Sequence, residues 1–345
     1  MNPQRFELIT RKYHDLRVVV LGDFCLDRYL EIDPCRAETS IETSLPVHNV
    51  VNVRPQPGGA GTIVNNLSAL GIGTIYPIGF AGEDGEGFEL WRALERVSGV
   101  QLKYFTRTAQ RRTFTYCKPL LVTPGKPPVE LNRLDSKNWT PTPRDVEQVL
   151  IAHLEKAVEL ADAVIVLDQV DVAETGVVTS NVLARLKELS EKHPGKPILA
   201  DSRRGLRGYP PVIFKMNAAE LAALSEPSKD LGLQDIKEVA ASLARKNGRN
   251  VFVSLAAGGI LGATAHGETQ HIPALPLRGE IDIVGAGDAV SANLASALAA
   301  SATLREALEL ANAAASVVIH KLGTTGTASV AEIRDVLRSS GQLEP

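Results

Sequence analysis

Apolar residues fall along this chain in two rhythms. Short runs rich in β-branched residues, Val18–Leu21, Thr74–Ile78, Ala163–Leu167, Pro197–Ala200, Val212–Lys215 and Val251–Leu255, are mostly continuous rather than alternating. That is the appearance of strands whose two sheet faces are both covered. Longer helical patterns separate them, and the alternation predicts an α/β fold with a central, mostly parallel sheet flanked by helices. Several helices announce their starts. Thr142 precedes Pro143 as a cap would precede a proline at the first helical position. Thr303–Glu306 and Ser329–Glu332 have the spacing at which hydroxyl and carboxylate satisfy each other's backbone donors.

Two stretches break this rhythm. Leu30–Val53 and Tyr104–Val122 interleave Thr, Val, Tyr and Phe with polar groups, and the proline-rich Pro119–Pro128 follows. They predict a small, partly exposed β-layer, either an irregular surface hairpin or a lid over a ligand. With no internal repeat, low-complexity tract or clean linker, residues 1–345 are expected to form a single domain. Exposed strand edges need covering, so the two stretches are expected to pair, to close over the ligand and to join two subunits as a homodimer.

Composition narrows the functional classes. With 37 Lys+Arg against 40 Asp+Glu in 345 residues, the net charge is −3, which argues against a general nucleic-acid or membrane-surface binder. No apolar run approaches the ~18–20 residues of a membrane span, and Met1–Arg17 lacks the apolar core of a secretory signal. Cys25, Cys35 and Cys117 have no CxxC spacing, so neither a disulfide framework nor a zinc site is indicated. A reducing cytoplasm is the expected location.

The sharpest chemical feature is Asp282-Ile283-Val284-Gly285-Ala286-Gly287-Asp288, running into the Ala-rich stretch Ala289–Ser301. Small residues before a helix leave backbone N–H groups unobstructed, and the helix end favours an anion. A carboxylate there, Asp288, suits deprotonation of a hydroxyl beside an incoming phosphoryl group. The same residues also suit a plain glycine turn at a helix start. Pro57-Gly58-Gly59-Ala60-Gly61-Thr62, leading to Asn65-Asn66, could let backbone approach a small ligand, or be an ordinary turn. Asp23 and Asp27 follow the first strand, where open α/β sheets bind ligands and two acceptors suit sugar hydroxyls, or lie in a solvated loop. GxGxxG is missing after the first strand, and no GxxxxGK[ST], HExxH or GxSxG occurs. A dehydrogenase, a P-loop NTPase, a zinc hydrolase and an α/β-hydrolase are therefore unsupported.

Taken in order, Gly22-Asp23-x-x-x-Asp27, Pro57-Gly58-Gly59, Asn217-Ala218-Ala219-Glu220 and Gly285-Ala286-Gly287-Asp288 resemble the PfkB, or ribokinase-like, carbohydrate kinase family. The resemblance runs from about Arg17 to Arg338. GDFCLDRY, QPGGAGTIVNNLSALG, LNRLD and NAAASVVIHKLGT are most similar to the D-glycero-D-manno-heptose 7-phosphate kinase half of the heptose-phosphate kinase/adenylyltransferase subgroup; no adenylyltransferase half is seen in these residues. The resemblance implies a ribokinase-like three-layer fold with a small β-lid, and ATP-dependent phosphorylation of a sugar or sugar phosphate. Asp288 would be the base, and Gly285, Ala286 and Gly287 the anion hole. Asp23, Asp27, Gly58, Gly59, Thr62 and Asn66 would hold the sugar. Asn217 and Glu220 would organise Mg²⁺ and its waters near the ATP phosphates. Gly258, Gly259 and Asn312 would lie along the nucleotide, and a potassium ion near Asp282. The alternatives are a kinase for another sugar or a nucleoside, and a catalytically silent sugar- or nucleotide-binding protein.

Departures touch the substrate more than the chemistry. Thr62 stands where the family usually has Asn, and Ile283 where Thr or Val is usual. Asp168-Gln169-Val170-Asp171 replaces Asp-Tyr-x-Lys-Gly, and Asp201-Ser202-Arg203-Arg204-Gly205 replaces Asp-Pro-Lys-Gly. Two phosphate-neutralising lysines are thus missing. Arg203 is expected to substitute for one, and either Arg111-Arg112 or Arg203-Arg204 is expected to face the pocket. The positive helix end is expected to lower the pKa of Asp288.

Overall fold

The computed structural model describes residues 1–225, 231–323 and 325–343. The strands in chain order are β1 (Arg17–Gly22), β2 (Phe24–Ile32), β3 (Glu38–Thr39), β4 (Pro46–Val47), β5 (Val50–Gly59), β6 (Thr74–Gly82), β7 (Phe105–Thr108) and β8 (Phe114–Leu121). There follow β9 (Val129–Glu130), β10 (Leu134–Ser136), β11 (Ala163–Asp168), β12 (Ile198–Ser202), β13 (Ile213–Asn217), β14 (Val251–Ser254), β15 (Ile260–Ala263) and β16 (Thr269–Ile272).

Nine of them form one sheet in the order β16-β15-β14-β13-β12-β11-β1-β6-β7. The run from β14 to β7 is parallel, and β15 and β16 turn back antiparallel at one edge. Successive side chains of a strand point to opposite faces. Val18 and Val20 of β1 therefore enter one core, with helices Ala60–Ala69, Ala286–Ala299 and Leu304–Val318. Val19 and Leu21 enter the other, with helices Arg144–Leu160, Ser180–Lys192 and Leu233–Asn247. Two buried faces explain the continuous apolar strands, and the result is the three-layer arrangement expected. All six runs singled out as strands are strands of this sheet.

The chain leaves the large sheet at Gly22 and immediately starts a second one, ordered β10-β8-β2-β5 with β9 also on β8. β2 pairs antiparallel with β5 from Phe24 to Ile32 and parallel with β8. The layer thus begins at Phe24, earlier than Leu30, and β5 runs on to Gly59. Only β3 and β4, a two-stranded ribbon, occupy the middle of the 30–53 stretch. The other stretch divides. β7 joins the large sheet beside β6, because Phe105 is drawn into the core edge-on to Phe24 at 5.1 Å; only β8 belongs to the small sheet.

Both capping boxes form as expected, at Thr303/Glu306 and Ser329/Glu332. The expectation at Thr142 is off by one residue. The helix starts at Arg144, and the Thr142 hydroxyl instead donates to Gly176 O at 2.7 Å, so two loops beside the site are tied together. Among the described residues no helix is long and apolar enough to cross a membrane.

Candidate active site

Gly285 caps the helix Ala286–Ala299 with φ +82°, a left-handed conformation that strains any residue with a Cβ. A Cβ there would also stand 2.7 Å from Thr325 Cγ2. N–H groups in the first helical turn have no preceding turn to bond to, so this end is an anion-binding surface. Two cavities meet on it. A cavity of about 330 Å³ under the small sheet is lined by Asp23, Asp27, Gly59, Thr62, Gly285 and Asp288, among others. A cavity of about 890 Å³ on the other side is lined by Asn217, Gly259, Ala286, Gly287 and Asn312, with Leu255, Leu275, Pro276 and Ile319 supplying an apolar wall. The turn predicted as an anion hole is their shared boundary.

Asp288 sits on that boundary, but its proton affinity contradicts the expectation. Burial pushes its carboxyl up to about 7; Lys215 pulls it back, and the charges of Asp201 and Asp27 add to the rise. Desolvation and two like charges outweigh the helix end. A carboxylate poised near neutrality is a better proton acceptor than one held strongly acidic.

Lys215, which sequence reasoning passed over, is the buried cation of the site. Its Nζ lies 2.6 Å from Asp201 Oδ2 and 3.1 Å from the point a Cβ on Gly287 would occupy. Burial disfavours its charge, yet Asp201, Asp288 and Glu220 hold its pKa above the ordinary lysine value. The signal was present: a lone lysine inside the apolar strand IFKMN, two residues before Asn217.

The other predicted residues divide between ligand surface and scaffold. Asn217 and Glu220 form a reciprocal cap, Asn217 N–H donating to Glu220 Oε2 and Glu220 N–H to Asn217 Oδ1, both at 2.8 Å. The other Glu220 oxygen makes no hydrogen bond among the described residues. Burial and then Asp201 raise the Glu220 pKa, against the pull of the Asn217 N–H and Lys215. Asn312 donates from Nδ2 to Pro273 O at 2.9 Å and borders the large cavity. Gly259, at φ +91°, also borders it, while Gly258 is engaged through its carbonyl by His271 Nε2 at 2.7 Å. The Asp282 carboxylate accepts the Val284 N–H at 3.0 Å. No group of three or more His, Cys, Asp or Glu placed to hold a metal ion occurs among the described residues.

On the small-cavity side, Asp27 pairs with Lys118 of β8 at 3.2 Å, and a Cβ on Gly58 would lie 2.7 Å from Asp27 Oδ2. Asp23 borders the cavity, but its carboxylate is occupied otherwise. It accepts the N–H groups of Gln169 (2.8 Å) and Val177 (2.7 Å), clamping both ends of the loop that forms one wall. Burial and neighbouring Asp168 push it up to about 7. Asn66 does not reach the cavity: it is fully buried and donates back to Thr62 O at 3.0 Å. The arginine pairs split as well. Arg111 is buried and donates to the carbonyls of Thr140, Pro141 and Thr175, while Arg112 is exposed beside Glu86. Arg203 faces the small cavity, 3.5 Å from Asp171, and Arg204 pairs with Asp168 at 2.7 Å. Arg133 and Lys137 border the same cavity. Arg133 pairs with Asp135 at 2.8 Å and Lys137 with Asp171 at 2.7 Å.

The profile described as pfkB family carbohydrate kinase matches residues 16–331. The chain belongs to this family. The carbohydrate kinases of this family are phosphotransferases with an alcohol group as acceptor. The bifunctional protein HldE of Trichlorobacter lovleyi is 31% identical over 338 residues, covering 96% of this chain and 65% of that protein. HldE of Caulobacter vibrioides is 31% identical over 345 residues, covering 98% and 66%. The chain therefore spans about two thirds of the length of these relatives. Ribokinase of Arabidopsis thaliana, solved with ribose and ATP, superposes with a TM-score of 0.66 at 21% identity, covering 94% of this chain and 99% of that one. Phosphofructokinase-2 of Escherichia coli, solved with fructose-6-phosphate, gives 0.66 at 16% identity with the same coverages. These two likenesses establish the fold.

Proposed function

We propose that this kinase transfers the γ-phosphoryl group of ATP to a hydroxyl of a sugar phosphate, of the heptose 7-phosphate type. The observation that carries the reading is the position of Gly285–Asp288 between two cavities, with a carboxyl on the smaller side and Lys215 behind the turn. The apolar wall of the larger cavity suits adenine, and the helix end suits the polyphosphate. In the smaller one Asp27 accepts from sugar hydroxyls, while Arg133, Lys137 and Arg203 form the cationic rim an existing phosphate needs.

The sugar oxygen attacks the γ-phosphorus, the bond to the ADP oxygen breaks, and the hydroxyl proton passes to Asp288. Lys215 and the first-turn N–H groups offset the charge developing on the phosphoryl oxygens. Glu220, with one oxygen uncommitted, and Asn217 fit a hydrated Mg²⁺, since that ion keeps several waters and takes one or two carboxylates plus substrate phosphates. Bound there, it would neutralise phosphate charge. A potassium ion beside the Asp282 turn is part of the proposal; phosphofructokinase-2 of Escherichia coli has been solved with potassium. The three free thiols, Cys25, Cys35 and Cys117, suit a reducing cytoplasm.

The small sheet is proposed to close over the sugar and, through β5, to join two subunits. β5 is an edge strand whose Val50, Val51 and Val53 are exposed, the situation that invites a covering partner. The test of function is ADP formation from Mg·ATP with a panel of sugars and sugar phosphates. Turnover restricted to sugar phosphates supports the reading. Binding of ATP and sugar without ADP formation would make the protein a silent binder, and turnover of free sugars alone would remove the phosphate subsite.

A further inference from the structure

Trp139 is a large apolar side chain left 69% exposed while bordering the small cavity, whose other apolar lining (Phe114, Val170, Val172 and Val284 among it) is mixed with charged groups. Its surroundings are not loose. On one side Asn138 holds the Arg112 backbone at both ends, accepting its N–H at 3.1 Å and donating to its carbonyl at 2.8 Å. On the other side the buried Arg111 guanidinium donates to Thr140 O, Pro141 O and Thr175 O. Lys137 is tied to Asp171 at 2.7 Å. Four residues, two on each side, are thus anchored, yet the indole between them has no aromatic, cationic or hydrogen-bonding partner among the described residues. Tyr116 of β8 borders the cavity too, with Arg133 5.0 Å above its ring.

We infer that Trp139 is the stacking wall for the sugar, covering its C–H face while Asp27 and Asp288 engage the hydroxyls on the opposite side. This rests on the sugar-phosphate reading above and adds a residue that selects for it. A sugar has an apolar face of C–H groups as well as a polar rim, and an aromatic plate fixed in advance binds that face at little conformational cost. Arg133 and Lys137 lie over the Tyr116 ring, at 5.0 and 5.8 Å, so the phosphate of the substrate belongs at that end of the cavity. A planar base would also stack on an indole, but Arg133, Lys137 and Arg203 around the cavity fit a phosphate.

The chain has two tryptophans, and Trp91 is packed against Phe105, so Trp91→Phe leaves Trp139 as the sole indole emitter. This variant is titrated with D-mannose 6-phosphate, D-fructose 6-phosphate, sedoheptulose 7-phosphate and adenosine, following emission, iodide quenching and thermal shift. At least one sugar phosphate is expected to shift the emission to shorter wavelength and protect it from iodide, with the midpoint of the thermal shift. Trp139→Ala is expected to raise the KM of that sugar at least tenfold with kcat within about twofold, and Trp139→Phe to recover most of the loss. A sugar phosphate that saturates the thermal shift and turns over while emission and the Trp139→Ala KM stay unchanged overturns the inference and leaves the kinase reading standing. No response to any sugar phosphate in either signal, with no turnover, overturns both. Emission moved by adenosine alone overturns the assignment to a sugar.

Discussion

Replacing Lys215 by Met probes the least visible part of the site. Its ammonium and the Asp201 carboxylate are 2.6 Å apart and both buried. At an effective dielectric constant of about 20 their gross attraction is 332/(20 × 2.6), about 6 kcal/mol. Desolvation offsets part of that, and removing one partner of a buried pair usually costs about 3–5 kcal/mol, because the other charge is stranded. Lys215→Met should therefore lower stability by that amount, and Lys215→Met/Asp201→Asn should recover more than half of it. The same ammonium holds the Asp288 pKa down, against burial, to the value of about 7 that it has in the fold. Without it Asp288 keeps its proton to higher pH, so the base form at pH 7 is scarcer. The kcat/KM–pH profile of Lys215→Met should rise with a midpoint above 7, with kcat/KM at pH 7 down by about 10²–10³ once the lost phosphoryl contact is included. Urea unfolding and kcat/KM from pH 5.5 to 9.5 measure both. A midpoint at or below that of the unsubstituted chain, with kcat/KM within threefold, would refute the reasoning.

Three further outcomes are expected. Asp23 titrates near 7 in the fold, above its ordinary value, so its stabilising proton is fully held below the ordinary carboxylate range and lost as pH rises through 7; the melting temperature should fall between pH 5 and 7.5, and Asp23→Asn should reduce that fall, an unchanged slope counting against it. Gly259→Ala would put a Cβ 2.1 Å from Ile272 O at a φ of +91°, and should raise the KM for ATP severalfold while leaving sugar KM within twofold. Sedimentation should give twice 36.9 kDa at micromolar concentration and a monomer for Val51→Lys on the β5 edge; a monomer in both cases removes the dimer.

What the sequence revealed follows from how local each signal is. The β-branched runs, the capping boxes and the Gly285–Asp288 turn are read within a few residues, and they recur in the structure where expected. The small sheet was legible as a composition but not in its bounds, because β2 and β8 pair across about 90 residues and β7 pairs instead with β6, its Phe105 packed against Phe24 and Trp91. Asp23 and Asn66 look like ligands in a list of polar residues. Only the fold shows both Asp23 oxygens accepting from Gln169 and Val177, and Asn66 buried away from the cavity with its Nδ2 on Thr62 O. The direction of the Asp288 pKa was misread for the same reason: the helix end is visible in sequence, while Asp201, Asp27 and burial arrive from distant segments. Lys215 and Trp139 were visible as oddities, a charge in an apolar strand and an aromatic in a polar loop, without the cavity that gives them meaning.

The most direct test of the account is kcat for Asp288→Asn with the best sugar phosphate. Asn is nearly isosteric and cannot take a proton, so kcat should fall by about 10²–10⁴. ATP affinity should stay within a few-fold, because phosphate binding is proposed to rest on backbone donors, Lys215 and a metal ion rather than on Asp288. The melting temperature should hold or rise, since a carboxyl that titrates near 7 is an unfavourable charge at higher pH. In the unsubstituted chain kcat/KM should climb with pH through a midpoint of about 7. An Asn variant that folds, binds ATP and keeps more than about a tenth of the original kcat would contradict the assignment of Asp288 as the base.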